Sequence, residues 1–196
     1  MADDHQRSLT PGFFDEMYAG SHDPWGFETR QYEAEKYNET LAALPQRRYH
    51  RAFEVGCSVG VLTEQLAARC DHLLAVDVVE KPLEHARQRC RNLDNVTFRK
   101  MQVPYEFPGE QFDLIMLSEV AYYWAGEDLE RARELVVRHL SKGGHLVMVH
   151  WRPYVAEYPR TGDEVHEFVL SSSGGQLRHL EDRRQELYRM DIFERV

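Results

Sequence analysis

The feature that most constrains this chain is the glycine turn inside Arg51-Ala-Phe-Glu-Val-Gly-Cys-Ser-Val-Gly60, with Leu-Leu-Ala-Val-Asp77 downstream. An apolar strand runs into the turn, a helical pattern follows, and a second apolar strand ends in a lone carboxylate. That order builds a strand–helix–strand unit of a parallel sheet, whose ligands bind at the carboxyl edge. The glycines let backbone approach a ligand closely. Asp77 stands about 20 residues beyond the turn, where a carboxylate accepts hydrogen bonds from ribose hydroxyls. The plain alternative for Asp77 is a strand-end carboxylate that caps a helix.

The spacing narrows the ligand. Glu54-x-Gly56-x-x-x-Gly60 is not the Gly-x-Gly-x-x-Gly turn that seats a pyrophosphate on a helix N-terminus. Glu54, two residues before the first glycine, would repel a diphosphate. It suits a cationic, phosphate-free ligand held through water or turn amides. A surface charge is the alternative, but Phe53 and Val55 flank it. No Gly-Lys-Ser/Thr is present, which excludes a phosphate-cradling loop. A nicotinamide-dependent reductase would share the sheet but not this glycine spacing.

Residues 13–44 carry helical spacing. Phe13, Phe14, Met17 and Tyr18 share one face, Gly20-Ser-His-Asp-Pro24 breaks it, and Tyr32, Lys36, Tyr37, Leu41 and Leu44 recur up to Pro45. Strands are expected over 52–56, 73–77, 96–101, 112–118 and 145–150, and helices over 61–68, 82–91 and 128–140. Residues 104–109 read as loop, and Lys142-Gly-Gly144 should stop the last of these helices. The strand at 112–118 is almost wholly apolar, as befits a strand covered on both faces. Regularity weakens after His150. A helix over 163–170, a flexible turn at 171–175 and closing strands over 176–184 and 187–196 are expected, although Leu187, Met190, Ile192 and Val196 do not alternate cleanly. The fold class is α/β: a doubly wound, mostly parallel, seven-stranded sheet with an N-terminal helical lid.

A chain of 196 residues fits one domain with a substantial core. The net charge of −9 weighs against a bulk nucleic-acid partner, although Arg47, Arg48 and Arg51 form a local basic patch. No apolar run approaches the ~20 residues needed to cross a membrane. The first ten residues are polar, read as mobile, and carry no apolar leader, so a cytoplasmic protein is expected. Cys57, Cys70 and Cys90 lack metal-ligand spacing and read as free thiols, with Cys57 a small packing residue rather than a nucleophile. The ten histidines do not cluster, and no metal site is expected.

Several further stretches carry the same pattern. They are Phe112-Asp-Leu-Ile-Met-Leu-Ser-Glu-Val120, Leu140-x-Lys-Gly-Gly-His-Leu-Val147, and upstream Asp23-Pro-Trp25, Glu35-Lys-Tyr37 and Thr40-Leu-x-x-Leu-Pro45. With the glycine turn and Val-Asp77, they make the chain resemble the class I S-adenosylmethionine-dependent methyltransferases, and among them the rhizobial nodulation N-methyltransferase family. The resemblance covers most of the chain. It implies a Rossmann-like methyltransferase fold over 1–196, with a helical cap at 1–45, a cofactor-binding core at 46–151, and a C-terminal helix and closing strands at 152–196. It implies S-adenosyl-L-methionine as cofactor, S-adenosyl-L-homocysteine as product, and a small-molecule acceptor, an amine nitrogen of an amino sugar or oligosaccharide precursor. A small-molecule O-methyltransferase and a non-catalytic binding module are the alternatives. Monomer and homodimer both remain open.

By that resemblance Gly56, Cys57 and Gly60 line the methionine end of the cofactor, Asp77 binds its ribose and Val78 flanks the adenine. Ser118 and Glu119, leaving the fourth strand, sit near the sulfonium and the substrate. The chain departs from many relatives after the third strand, where Met101-Gln102-Val103 stands in place of an Asp for the adenine amino group; the Gln102 amide oxygen can accept that bond. Trp25 and Tyr32 are either core of the N-terminal helices or a lid over the cofactor. Lys36 is a solvated charge or, by resemblance, a contact to the cofactor carboxylate. Tyr18, Tyr123 and Trp151 are candidate substrate contacts. Glu119, Tyr122 and His150 are the candidate proton acceptors, each with a packing alternative. An amine, once deprotonated, needs no strong base at attack, which favours nitrogen over oxygen as the methylated atom.

Overall fold

In the computed structural model, which describes residues 7–196, the strand order is β3-β2-β1-β4-β5-β7-β6 in a seven-stranded, mostly parallel sheet. The chain divides between Gln102 and Val103 into two compact units, residues 10–102 and residues 103–196 with the described residues 7–9. Residues 1–6, on which the readings of a mobile start and a missing leader largely rest, lie outside the described residues.

The first unit holds α1 (Pro11–Gly20), α2 (Gln31–Ala43), β1 (Tyr49–Val55), α3 (Val61–Ala67), β2 (Cys70–Asp77), α4 (Glu80–Arg89) and β3 (Val96–Lys100). β2 pairs in parallel with β1 and with β3, placing Glu54 opposite Ala75 and Val55 opposite Val76. The expected elements are all present, but β1 and β2 each begin three residues earlier than apolar character indicates. Tyr49 N–H donates to Arg69 O at 2.8 Å, and Arg69 reaches back to the carbonyls of Leu41, Gln46 and Arg47, so pairing starts among polar residues. In α1 Tyr18 is buried, whereas Met17 is 36% exposed and leaves the face it was expected to share. Pro82 takes a first-turn position in α4, where its missing N–H costs nothing.

The second unit holds β4 (Phe112–Ser118), a single 3-10 turn (Ala121–Tyr123), α5 (Gly126–His139), β5 (Leu140–Trp151), α6 (Gly162–Ser172), β6 (Leu177–Arg184) and β7 (Tyr188–Arg195). β4 and β5 are parallel; β5–β7 and β6–β7 are antiparallel. Lys142-Gly-Gly144 does not separate helix from strand. It bulges within β5, shifting the register from Phe112–Leu140 to Leu114–His145, with Gly143 at φ +73°. β7 has strands on both sides, which explains why it reads poorly as an alternating strand: nearly every position is buried, including Arg189 and Asp191. Ser171 and Ser172 extend α6 rather than forming a turn, their hydroxyls donating to Phe168 O. Ser8 and Leu9 are tied down: Ala125 N–H donates to Ser8 Oγ at 2.9 Å and Leu9 N–H to Tyr123 O at 3.0 Å. No helix of the described residues is long and apolar enough to cross a membrane.

Two glycines are structurally required. Gly60 starts α3 at φ +80°, and a Cβ there would lie 2.9 Å from Ala86 Cβ and 3.0 Å from Ala86 Cα. Gly162 starts α6 so close to β5 that a Cβ would lie 2.3 Å from Trp151 O. Gly60→Ala should cost about 2–4 kcal/mol, from left-handed strain and overpacking, and Gly162→Ala at least as much because its obstacle is backbone. A melting temperature within about 2 °C of wild type for either variant would show that the close approach is not real.

Candidate functional site

In the first unit the glycine turn hangs from the end of β2. Gly56 N–H and Cys57 N–H both donate to Val76 O, at 2.8 and 2.9 Å, and Ser58 N–H donates to Asp77 Oδ2 at 3.0 Å. Gly56, Ser58 and Gly60 all have positive φ, at 75°, 49° and 80°. Three such residues in one short stretch put backbone where a side chain would otherwise stand, and only Ser58 pays strain for it.

Asp77 is buried at the strand end. Its second oxygen accepts from Val79 N–H at 3.0 Å, at the start of α4. Burial pushes its carboxyl up to about 6, against the pull of the Val79 and Ser58 amides. The capping role considered for Asp77 is therefore present. Each carboxylate oxygen still has a second lone pair to offer a hydroxyl. Val78 follows, half-buried, between Asp77 and the start of α4.

Glu54 is 2% exposed, not a surface charge, and its Oε2 has no hydrogen-bond partner. Burial raises its carboxyl to about 8, with the Thr63 hydroxyl pulling down and Asp77 pushing up. Thr63 Oγ1, also buried, is near enough to pull on that carboxyl but makes no hydrogen bond of normal geometry, and neither does Glu54 Oε2. An orphaned carboxylate oxygen behind a glycine turn is a place for positive charge. Cys57 packs with Ala75 and Leu83, and burial lifts its thiol well above the usual range, so it is no nucleophile. All three cysteines are free and buried.

Tyr18 joins this end of the first unit, its hydroxyl 2.6 Å from Ser58 Oγ, while Lys81 donates to Tyr18 O. Burial, and next the Asp77 charge, keep the Tyr18 phenol protonated. The structure thus sets Tyr18 beside the glycine turn, where the sequence had it among acceptor contacts. The Trp25 ring meets Tyr18 edge-on at 5.5 Å and stacks on Phe27 at 5.7 Å. Tyr32 lies on α2 with the Lys36 ammonium 5.3 Å from its ring centre. Lys36 is not a solvated charge: it is 2% exposed and pairs with Glu33 at 2.7 Å. Gln102, half-buried, ends this unit.

In the second unit Val103 is buried, and Ser118 is the half-buried last residue of β4. Glu119 follows in the left-handed region at φ 55°, a conformation that costs a non-glycine residue about 1 kcal/mol or more. Its Oε2 accepts from Tyr122 Oη at 2.5 Å and from Trp151 N–H at 2.9 Å. Burial, and next the Glu119 charge, hold the Tyr122 phenol in its protonated, donating form. Tyr122 packs edge-on against Tyr123 at 4.7 Å and stacks on Tyr158 at 5.0 Å.

His150 is fully buried and both ring nitrogens are used. Its Nε2 lies 3.1 Å from the Ala121 amide, and its Nδ1 lies 2.9 Å from His166 Nε2. A backbone amide can only donate, so the Nε2 lone pair is taken. That leaves His150 no open lone pair with which to act as a base. Arg152 donates to Asp163 at 3.1 Å and Gln185 O at 2.6 Å. Among the described residues no group of three or more His, Cys, Asp and Glu side chains is arranged to hold a metal.

The family model for nodulation protein S, NodS, matches residues 16–186. The chain belongs to the NodS family. Nodulation protein S of Sinorhizobium fredii is 34% identical over 64% of this chain and 59% of its own length; that of Bradyrhizobium diazoefficiens is 36% identical over 52% and 49%. The chain thus spans about half to three fifths of the length of these curated relatives. The crystal structure of the N-methyltransferase NodS from Bradyrhizobium japonicum WM9, in complex with S-adenosyl-L-homocysteine, has a TM-score of 0.83 at 24% identity, covering 98% of this chain and 99% of that one. A solved Pseudomonas syringae chain is 34% identical, with a TM-score of 0.72, over 85% of this chain and 100% of that one. The doubly wound fold expected from the sequence is therefore the NodS fold.

Five residues of these sites were not singled out from sequence. Ser58 lay inside the quoted turn, but nothing marked it as the residue joining Tyr18 to Asp77. Thr63 looked like an ordinary helix residue. Tyr158, His166 and Asp191 lie far from the motifs; the Thr161-x-x-Glu164 capping box that starts α6 is the one local signal near them that could have been read.

Glu54 has a stability signature. Its folded-state carboxyl is raised, so it contributes nothing unfavourable below about pH 4.5 and destabilises progressively as pH rises towards 8. Glu54→Gln cannot ionise. Its melting temperature, with no ligand added, should match wild type at pH 4.5 and exceed it by about 5 °C or more at pH 8.5. Equal melting curves at pH 8.5 would mean that Glu54 is solvated.

Proposed function

We propose that the chain is an S-adenosylmethionine-dependent methyltransferase whose acceptor is a small molecule, an amine nitrogen of an amino sugar or oligosaccharide precursor. One observation carries the donor assignment: the buried, unpartnered Glu54 Oε2 behind a turn with Gly56 and Gly60 at positive φ. The residues fit a nucleoside that is cationic and lacks phosphates. The NodS family membership and the homocysteine derivative bound by the Bradyrhizobium japonicum N-methyltransferase support the same donor.

In this reading the turn residues Gly56, Cys57 and Gly60 meet the methionine end, with Trp25 and Tyr32 covering it. The open lone pairs of Asp77 take the ribose hydroxyls. Val78, Gln102 and Val103 flank the adenine, Gln102 accepting from its amino group. Ser118 follows at the reactive end. The bound donor supplies an activated sulfonium methyl, so the protein needs to provide alignment and dryness more than acid or base strength.

Glu119 is the proton acceptor. Tyr122 Oη and Trp151 N–H hold its Oε2 fixed, next to a backbone kept at positive φ. An amine that gains a methyl group sheds one N–H proton, and Glu119 takes it or passes it to water. Tyr122, Tyr123 and Trp151 supply aromatic surface suited to a sugar face, and Tyr18 bears on the acceptor only through the turn it supports.

Calorimetry with S-adenosylmethionine tests the donor. Wild type should bind with a Kd of roughly micromolar order, and Asp77→Ala should weaken it about 10- to 100-fold by losing charge-assisted hydrogen bonds. Absence of binding by wild type would sink the proposal. Equal affinity in the variant would remove the ribose role alone.

Proton linkage tests Glu54 separately. At pH 7 the free carboxyl is below its folded value of about 8 and largely protonated. A cation bound nearby lowers that value, so binding releases a proton and affinity rises with pH up to about 8. The binding enthalpy of wild type should therefore depend on buffer ionisation heat, and that of Glu54→Gln should not. The same dependence in both proteins would assign the proton elsewhere.

A further inference from the structure

The second unit contains a buried polar chain that the proposed chemistry does not use. Its members are His150 on β5, His166 on α6 and Asp191 on β7, all fully buried, with Arg189 and His179 attached to the Asp191 end. The direction of every bond in it is fixed by elementary donor and acceptor counting. Ala121 N–H can only donate, so His150 Nε2 accepts. The His150 proton is then on Nδ1 and is donated to His166 Nε2 at 2.9 Å. His166 Nε2 therefore accepts, and its proton is on Nδ1, donated to Asp191 Oδ2. Asp191 Oδ2 also accepts from Arg189 Nε at 2.7 Å, and Oδ1 from His179 Nε2 at 2.6 Å. The carboxylate at the far end thus dictates which nitrogen of each imidazole bears the proton.

The near end of this chain is the segment that carries the candidate proton acceptor. Ala121 opens the 3-10 turn Ala121–Tyr123, two residues after Glu119. The His150 ring also packs edge-on against Tyr122 at 5.3 Å. Were the polarity reversed, His150 Nε2–H would oppose Ala121 N–H, two buried donors at the same 3.1 Å, and the turn would have to move. Tyr122 Oη could not then keep its 2.5 Å bond to Glu119 Oε2.

We propose that His166, anchored by Asp191, is a positioning residue for the acceptor side: it fixes His150 in the Nδ1–H tautomer, which holds the Ala121 amide and so sets Tyr122 against Glu119. This rests on the reading of Glu119 as proton acceptor. The device consists of neutral rings only, since each imidazole has one accepting nitrogen. Arg189 balances the Asp191 charge from the same strand, and its guanidinium is shared with Glu167 at 2.7 Å and Asp163 at 3.7 Å, both on α6. The relation to His150 is that of an orienting carboxylate to the imidazole it orients, extended by one ring.

The test compares His166→Leu with His166→Gln in the full chain. Leucine removes both functions of the ring. Glutamine keeps the polarity, its amide oxygen accepting from His150 Nδ1–H and its amide nitrogen donating to Asp191. With S-adenosylmethionine and a glucosamine oligosaccharide bearing one free amine as probe, His166→Leu should lose about 10- to 100-fold in kcat. The KM and Kd for the donor should stay within about twofold. His166→Gln should recover kcat to within about threefold of wild type. Nitrogen NMR of histidine-labelled wild type should show His150 and His166 as Nδ1–H tautomers, and the Ala121 amide should exchange faster in His166→Leu than in His166→Gln.

An Nε2–H tautomer for His150 in wild type would overturn the proposal. So would a folded His166→Leu with wild-type kcat, or a loss that glutamine does not repair. If wild type binds the donor but does not methylate the probe, the acceptor reading fails, and the tautomer and Ala121 exchange measurements still decide the positioning role.

Discussion

Everything in the first unit depends on how the 56–60 turn is suspended from the end of β2. Two turn amides share Val76 O and a third reaches Asp77, so the neighbouring strand holds the loop, together with its own Gly60 N–H to Cys57 O bond at 2.9 Å. That suspension needs parallel pairing in the register Val55–Val76, and it needs backbone with positive φ at Gly56 and Gly60. It also buries Glu54 and Asp77 at adjacent strand ends. Two carboxyls pushed up to about 8 and about 6 by burial are a cost in the free protein. A cation and a ribose would relieve it, one at each, which gives binding energy a place to act.

The second unit follows a different logic. Its polar groups are not waiting for a partner; they are already matched, amide to imidazole to imidazole to carboxylate. Burial lowers the affinity of His166 for a second proton despite Asp191, while Asp191, although burial opposes its charge, is held below the usual carboxylate range by His166, Arg189 and His179. Both shifts favour the native state at neutral pH and are lost as pH falls, His166 first, below about 6.5, and Asp191 below about 4. A unit built this way keeps Glu119 and Tyr122 in one arrangement. A reaction that relies on alignment rather than on a strong base requires that.

The strands and helices were legible where a single apolar pattern determined them. Residues 112–118 form β4 with the boundaries read from the sequence, because a strand covered on both faces is uniformly apolar. Legibility failed where polar residues take strand positions. β7 buries Arg189 and Asp191, β5 begins ahead of a glycine bulge, and β1 begins among residues held by Arg69. Among the candidate site residues, Glu54, Gly56, Gly60 and Asp77 stand out in the sequence because they sit at fixed offsets in one local motif. His150 stands out by its place at a strand end, but the occupancy of its ring does not show in the sequence: the two groups at its nitrogens are 29 and 16 residues away.

The sequence by itself determined the doubly wound fold, the glycine turn and the strand-end carboxylate, all properties of short-range order and periodicity. Only the tertiary structure decided that Glu54 Oε2 is orphaned, that Tyr18 braces the turn through Ser58, and that His150 has no free nitrogen to offer. The physical reason is that burial and hydrogen-bond occupancy belong to groups meeting across the fold. A residue type names which bonds a side chain can make, but the neighbours brought to it decide which of them remain to be made.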